Sequence, residues 1–532
     1  MSMGQTGKRK TGESPTEQLD DIGYYLPDYT EDIVSSADAY RLVQEPAARY
    51  HSPLTVREKL RLRIEGVLFR LFSTKDASFV ATNGFFSVPM RWKKIFLYLY
   101  RAGITRSTIP FFEKIANDEP KMFAVRLETK RMPEDLTDGN TLPAAGDYGH
   151  GYATDPDVAI SKMVGELLER YSLTIYKKKD FRVCDIADMR ARGEKFLDPF
   201  TMDFFTKEQK QAAPRLQFGE KNTFRWTAAD SLLDGRRTWI PAQFIYWNYR
   251  YAADEPMLTQ PTTNGAAGMF TRDEAITAAI YEAVQRDAFL LHWLNRATPT
   301  KIDLSVIEDA ALRQTLADCA RYHLEVHAVN VTSDIPIPAI AIVVIDRTGK
   351  GPSVTVGAGA GNDPEHAIVR GLSEALSTRY WLRRRRATET YELPRGYIPF
   401  ITPGLGQAQR ILLWGKPGME KDIEFFIAGK TMPLKLIFPR VRPSESPQHE
   451  LAWLKEVFRA KGPGYDIYCV TPQHHISKAL GYASAKVIIP AMIQLYLDEY
   501  MAPLNNPRLK DAYATVGLVP AKNVNPTPHP FP

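Results

Sequence analysis

The segments DPDVAISKMVGELLER (Asp155–Arg170), TRDEAITAAIYEAVQR (Thr271–Arg286) and DPEHAIVRGLSEALSTR (Asp363–Arg379) repeat one pattern three times. Each opens on a helix-capping side chain, Asp155, Thr271 or Asp363, and each sets an alanine (Ala159, Ala275, Ala367) seven residues ahead of a glutamate (Glu166, Glu282, Glu374). Pro156 and Pro364 take the first helical position, where a missing N–H is harmless, and Thr271 with Glu274 spells a capping box. Just upstream, GDYGHGYAT, NGAAGMF and VGAGAGN read as glycine-rich turns. Such a repeat implies equivalent units that bring equivalent side chains together.

Around the repeat, KMFAVRLET, TWIPAQFIYW, YHLEVHAVNV and IPAIAIVVI have the short apolar runs of strands. Strands therefore alternate with helices, and the fold class is α+β, a mixed α/β architecture of repeated helix–strand units. Residues 1–38 are polar and read as a flexible arm. Residues 39–102, with Leu60, Ile64, Val67, Leu68 and Leu71 at helical spacing, read as a small helical N-terminal extension, and residues 103–532 as the main domain.

The 532 residues hold 68 Lys and Arg against 62 Asp and Glu, a net charge of +6, too dilute for a dedicated nucleic-acid binder. Cys184, Cys319 and Cys469 form no CxxC pair, and the apolar runs are too short or proline-interrupted to span a bilayer. The expectation is a cytoplasmic protein with neither nucleic acid nor membrane as partner.

On a helix, Glu166 and Glu169 share a face with Lys162, while Glu274, Ala278, Glu282 and Gln285 form a stripe opposite Ile276, Ala279, Ile280 and Ala283. Two such faces would flank a polar cavity suited to Mg2+ on a nucleotide triphosphate, because hard cations take carboxylate oxygens and guanidinium groups clamp phosphates. A single ExxER is usually a solvated helix face; its recurrence is what points to chemistry. No Walker A loop accompanies it, and GAGAG from Gly357 lacks dinucleotide spacing. His323 with His327, and His474 with His475, have no third metal ligand nearby in sequence. The chain ends NPTPHPFP, with proline at every second position to Pro532: a frayed tail, a ligand for a proline-recognising domain, or a stiff arm that delivers the terminal carboxylate into a cavity.

In GYATDPDVAISKMVGELLERYS, TTNGAAGMFTRDEAITAAIYEAVQRDAF, EALSTR and AKVIIPAMIQLYLDE, the sequence from about Gly103 to Pro532 resembles the YcaO family of ATP-dependent enzymes that activate peptide backbone amides. The Pro-rich ending, residues 526–532, resembles that of the azoline-forming cyclodehydratases. The resemblance implies a YcaO-type fold with ATP and Mg2+ as cofactors. It implies Glu166, Glu169, Glu282 and Gln285 as metal ligands, with Arg170, Glu274, Arg286 and Arg379 completing the nucleotide pocket. Arg379, on phosphate, and Pro532, through its terminal carboxylate, would be the catalytic groups. Lys162, Phe270 and Gln285 stand where various members carry a small hydroxyl residue, Asn and Glu.

The implied reaction begins with attack of a Cys, Ser or Thr side chain of a ribosomal precursor peptide on the preceding amide carbonyl. The resulting oxyanion takes the γ-phosphoryl group of ATP, and loss of phosphate leaves a thiazoline or oxazoline, chemistry of thiazole/oxazole antibiotic biosynthesis. The implied partners are that peptide, a separate leader-binding ThiF-like (E1-like) protein, a flavin-dependent azoline dehydrogenase and a second copy of the chain in a homodimer. A thioamide- or amidine-forming YcaO enzyme and a catalytically silent peptide-positioning scaffold are the competing readings.

Overall fold

A computed structural model of the chain describes residues 56–57, 60, 90–105, 111–115, 120, 122–129, 149–385, 389–439, 446–472, 475–515 and 521–532. The expected arm at 1–38 and His474 lie outside them, as does most of the expected helical extension, of which Val56, Arg57, Leu60 and helix α1 (Met90–Arg101) fall within.

Three sheets carry the described chain. The first orders β1 (Phe111–Ile115), β2 (Met122–Leu127) and β3 (Gly149–Ala153). In the second, β4 (Arg182–Asp185), β5 (Thr223–Ser231), β13 (Tyr468–Val470), β14 (Ala483–Ile488) and β7 (Ala266–Met269) lie side by side, with β6 (Arg237–Pro241) against β5. The third runs β11 (Val354–Ala360), β10 (Ala339–Asp346), β9 (Leu324–Asn330), β8 (Lys301–Asp303) and β12 (Thr431–Pro433). This is the expected mixed architecture. TWIPAQFIYW is only half a strand, because β6 ends at Pro241, which has no N–H to give the ladder, and a 3-10 turn follows at Ala242–Phe244.

The repeated helices are α2 (Pro156–Thr174), α3 (Arg272–Leu294) and α4 (Pro364–Arg385). All three expected caps form. Asp155 Oδ1 accepts the N–H groups of Asp157 and Val158 at 2.8 and 3.0 Å, Asp363 Oδ1 those of Glu365 and His366 at 2.9 and 3.3 Å, and Thr271 with Glu274 closes its capping box.

The glycine-rich segments before them are strands, not turns: β3, β7 and β11 stand at the ends of the three sheets. Their glycines answer a packing demand. A Cβ on Gly149 would sit 2.3 Å from the Met163 carbonyl oxygen, and one on Gly357 would sit 2.3 Å from that of Gly371, so each helix lies directly on its strand. Each helix also touches the next unit's strand: α2 packs on β3 and β7, α3 on β7 and β11, and α4 on β11 and β3. Three strand–helix units thus close into a ring. Helix α3 is buried almost all round, as a helix wedged between sheets must be. Among the described residues no helix is long and apolar enough to cross a membrane.

Candidate active site

The ring brings the repeated glutamates to equivalent positions. Glu166 Oε2 accepts the His150 N–H at 2.5 Å, Glu282 Oε2 that of Ala266 at 3.1 Å, and Glu374 Oε2 that of Ala358 at 2.9 Å; each donor stands sixteen residues ahead of its glutamate. A glycine precedes every donor, at Gly149, Gly265 and Gly357. With one oxygen fixed by its own strand, each carboxylate turns the other to a guanidinium. Arg170 Nη2 lies 2.6 Å from Glu166 Oε1, and Arg286 Nη2 bridges two units, 3.3 Å from Glu282 Oε1 and 3.4 Å from Glu374 Oε1.

The electrostatics are those of a crowded, half-buried centre, with Lys486 buried beneath it and Lys162 at its exposed edge. Burial, then the charges of Glu282 and Glu166, push Glu169 well above the usual carboxylate range. Burial also raises Glu282 against the pull of Arg286 and Lys486, whereas Glu166 is held low: burial opposes this, but Arg170 and the His150 hydrogen bonds prevail. Burial lowers Lys486 to about 8 and, with Arg370 beside it, Lys162 to about 8. Five cations (Lys162, Arg170, Arg286, Arg370, Lys486) thus face four carboxylates (Glu166, Glu169, Glu282, Glu374).

Of the residues singled out from the sequence, the structure gathers Glu166, Glu169, Arg170, Glu282 and Arg286, with Gln285 buried one turn beyond Glu282. Glu274 lies two turns before Glu282 on the same stripe, at the N-terminal mouth of α3, where its carboxylate closes the capping box. Arg379, expected on phosphate, pairs with an aspartate and not with one of the repeated glutamates. It is buried, with Nη2 2.8 Å from Asp346 Oδ2 and Nη1 3.1 Å from the Pro352 carbonyl oxygen. The reason is helical phase: Arg170 and Arg286 follow their glutamates by four residues, Arg379 follows Glu374 by five, and one extra residue turns a side chain by about 100°. Arg379→Ala should therefore act on stability, at about 3–5 kcal/mol for an opened buried ion pair. Urea unfolding reads that loss, and a variant as stable as the parent but unable to bind nucleotide would contradict it.

Sequence reasoning gave no site role to Glu374, Arg370 or Lys486. The first two were accessible to it, since Glu374 is the third repeated glutamate and Arg370 precedes it by four residues, as Lys162 precedes Glu166. Lys486 gave only the weaker signal of a lone lysine in the apolar strand ASAKVI.

The proline-rich ending is docked along α3. Asn525 N donates to the Leu294 carbonyl at 2.8 Å, Trp293 Nε1 to that of Thr527 at 3.1 Å, and Trp414 Nε1 to that of Pro528 at 2.9 Å. Phe531 is fully buried, 4.9 Å from the Phe289 ring centre, and the Arg286 guanidinium carbon lies 4.2 Å from its own ring centre. Half-buried Pro532 follows directly. Beneath the tail, Glu499 is buried 3.6 Å from Arg410, and burial raises it to about 8. A carboxyl whose folded pKa exceeds its unfolded value holds its proton more tightly when folded, so its contribution to stability is present below the unfolded pKa and lost as pH rises toward 8. Melting temperatures should fall across that window, and less steeply in Glu499→Gln; equal slopes would refute the assignment.

Two observations test whether this centre fits Mg2+ with a nucleotide. Nε and Nη1 of Arg286 are buried with no hydrogen-bond partner, donors in want of an anion. Glu166, Glu169 and Glu282 bring carboxylate oxygens to one centre, the donors that a hard ion such as Mg2+ takes beside waters and phosphate oxygens. The residues fit.

Comparison with known proteins agrees. A family model described as "YcaO cyclodehydratase, ATP-ad Mg2+-binding" matches residues 150–493. An uncharacterized protein of Methanothermobacter thermautotrophicus is 28% identical over 160 residues, 30% of this chain and 42% of that protein. An uncharacterized protein in the tfuA 3' region of Rhizobium leguminosarum bv. trifolii is 26% identical over 163 residues, 29% and 38% of the two chains. Among solved structures, a heterocyclase in complex with substrate and cofactor aligns with a TM-score of 0.65 at 19% identity, over 82% of this chain and 57% of its own. The heterocyclase TruD aligns at 0.54 and 20% identity, over 79% and 56%. YcaO from Methanopyrus kandleri, bound with AMPPCP and Mg2+, aligns at 0.50 and 15% identity, over 79% and 94%. The chain thus spans less than half the length of these curated relatives and little more than half of the two heterocyclases, and the structural likeness is one of fold.

Proposed function

The chain belongs to the YcaO family, and from that premise we propose that it uses Mg2+–ATP to phosphorylate backbone amide oxygens of a ribosomal precursor peptide, converting Cys, Ser or Thr residues to thiazolines or oxazolines. The observation that carries this reading is the half-buried ring centre, where Arg286 bridges two glutamates and keeps two buried donors unsatisfied.

In this proposal Glu166, Glu169 and Glu282, with the carbonyl oxygen of Gln285, hold Mg2+, which when bound neutralises charge on the phosphates. Arg286 turns Nε and Nη1 to phosphate oxygens, and Arg170 keeps Glu166 ionised and oriented. Glu274 lines the mouth of the pocket. Pro532 brings its carboxylate to the reacting peptide, where it could take the proton released as the amide collapses to the ring. The reaction splits an amide carbon–oxygen bond that does not break until its oxygen leaves as phosphate, so positioning and charge stabilisation are the protein's main task. The peptide, a leader-binding ThiF-like protein, a flavin-dependent azoline dehydrogenase and a second copy of the chain remain the proposed partners.

Calorimetry with Mg2+ and AMPPCP tests the site. Wild type should bind, while Arg286→Ala and Glu282→Gln should each lose at least about tenfold in affinity, about 1.4 kcal/mol. Activity on a candidate peptide then appears as loss of one water mass per ring. Wild-type protein that binds no nucleotide, alone or with its partner, would sink the proposal.

A further inference from the structure

Arg170 and Arg286 hold the same place in their units: each follows its repeated glutamate by four residues and pairs with it, at 2.6 and 3.3 Å. They share a second feature that the repeat does not encode. An aromatic ring lies on the face of each guanidinium: the Arg286 guanidinium carbon is 4.2 Å from the Phe531 ring centre, and that of Arg170 is 5.3 Å from the Trp247 ring centre. The two rings come from unrelated parts of the chain, one from the proline tail and the other from the segment after β6. A guanidinium is planar, and an ion pair at its edge leaves it free to swing about that contact; a ring on its face takes the freedom away.

Trp247 is half-buried, and the chain around it is clamped to the end of the helix that carries Arg170. Its N–H donates to the Leu173 carbonyl at 3.1 Å, one of the last carbonyls of α2, which have no partner inside the helix. Asn248 completes the turn at a φ of 58°, in the left-handed region that asparagine enters more readily than most residues. Beyond it the Arg250 N–H donates to Tyr176 Oη at 3.1 Å, and the Tyr176 ring centre lies 5.0 Å from that of Tyr246 and 5.8 Å from that of Tyr249. Both flanks of Trp247 are therefore tied to the residues that end and follow α2, and the indole cannot leave Arg170 without breaking those ties.

We propose that Trp247 is a positioning residue of the acidic centre: its ring holds the Arg170 guanidinium with its edge to Glu166, so that this carboxylate is oriented before a ligand arrives, as Phe531 does for Arg286 in the next unit. The effect on ligand binding rests on the Mg2+–nucleotide reading above; the coupling of Trp247 to Arg170 does not.

Trp247→Leu and Trp247→Phe, each made alone and together with Arg170→Met, test it through two readouts. In calorimetry with Mg2+ and AMPPCP, Trp247→Leu should bind about fivefold more weakly than wild type, while Trp247→Phe, which keeps a π-face, should stay within about twofold. Equal affinities in the two variants would overturn the proposal, because a side chain that only fills space does not distinguish a ring from an aliphatic group. In the ligand-free protein, Trp247→Leu should lower the urea midpoint clearly in the wild-type background and by less than about half as much beside Arg170→Met, where the guanidinium is already gone. Equal shifts in both backgrounds would overturn it as well. Should Trp247→Leu not fold, Trp247→Met, which fills more of the indole's volume without a π-face, carries the same expectations. A wild type that binds no nucleotide would defeat the proposed function while leaving the ligand-free cycle to decide the tie between Trp247 and Arg170.

Discussion

Phe531→Ala is expected to cost about 3–5 kcal/mol of stability, the range for emptying a buried aromatic site, and to weaken Mg2+–nucleotide binding by about tenfold as well. The first effect follows from burial: the ring is fully enclosed and packs on Phe289. The second follows from what the ring touches. Arg286 lies on its face, and the same guanidinium spans Glu282 and Glu374 while two of its donors remain unsatisfied. Without the ring, water reaches the guanidinium and its orientation loosens. Phe531→Leu separates the contributions, since leucine restores much of the apolar volume but offers no π-face. Its stability should lie nearer wild type and its nucleotide affinity nearer Phe531→Ala, by urea unfolding and calorimetry. Wild-type affinity in both variants would show that the tail anchors the fold without steadying the site.

Arg508→Ala should be the most damaging single change, at about 3–5 kcal/mol or more against a net stability of about 5–15 kcal/mol. The guanidinium is buried between two buried carboxylates: Nη2 lies 2.7 Å from Asp287 Oδ2 and 2.7 Å from Asp334 Oδ1, with Nε 2.7 Å from Asp287 Oδ1. Asp287 Oδ1 also accepts the Ile493 N–H at 2.8 Å, and Arg508 Nη1 donates to Tyr465 Oη at 2.8 Å, so one cluster ties α3 to the C-terminal part of the chain. Removing Arg508 leaves Asp287, with no exposed surface, uncompensated. Insoluble expression or a sharply lowered urea midpoint is the expected result, with partial recovery in Arg508→Ala/Asp287→Ala because the stranded charge is gone. A parent-like midpoint for Arg508→Ala would count against the account. Arg286 and Asp287 are neighbours on α3, yet the first turns to the acidic centre and the second into a structural cluster.

Much of the fold and the heart of the site can be read before any coordinates. Caps at Asp155, Thr271 and Asp363 are local, set by side chains that satisfy helix N–H groups within three residues. Spacing from the shared alanine to the shared glutamate fixes which face each carboxylate takes, and the recurrence marks Glu166 and Glu282 as partners although 116 residues separate them. Arg379 resembles Arg170 and Arg286 in composition but sits one residue out of phase, and so pairs with Asp346.

The sequence by itself determined the helices, their caps, the faces that carry charge and the threefold recurrence, because all of these depend on contacts within a few residues. Only the tertiary structure decided that the glycine-rich segments are strands, that Lys486 and Arg370 enter the centre, and that the proline tail lies against Arg286. Those outcomes depend on how closely helices approach strands and on which unit follows which around the ring. Close approach brings together residues as distant in sequence as Glu169 and Lys486, and no local spacing encodes that distance.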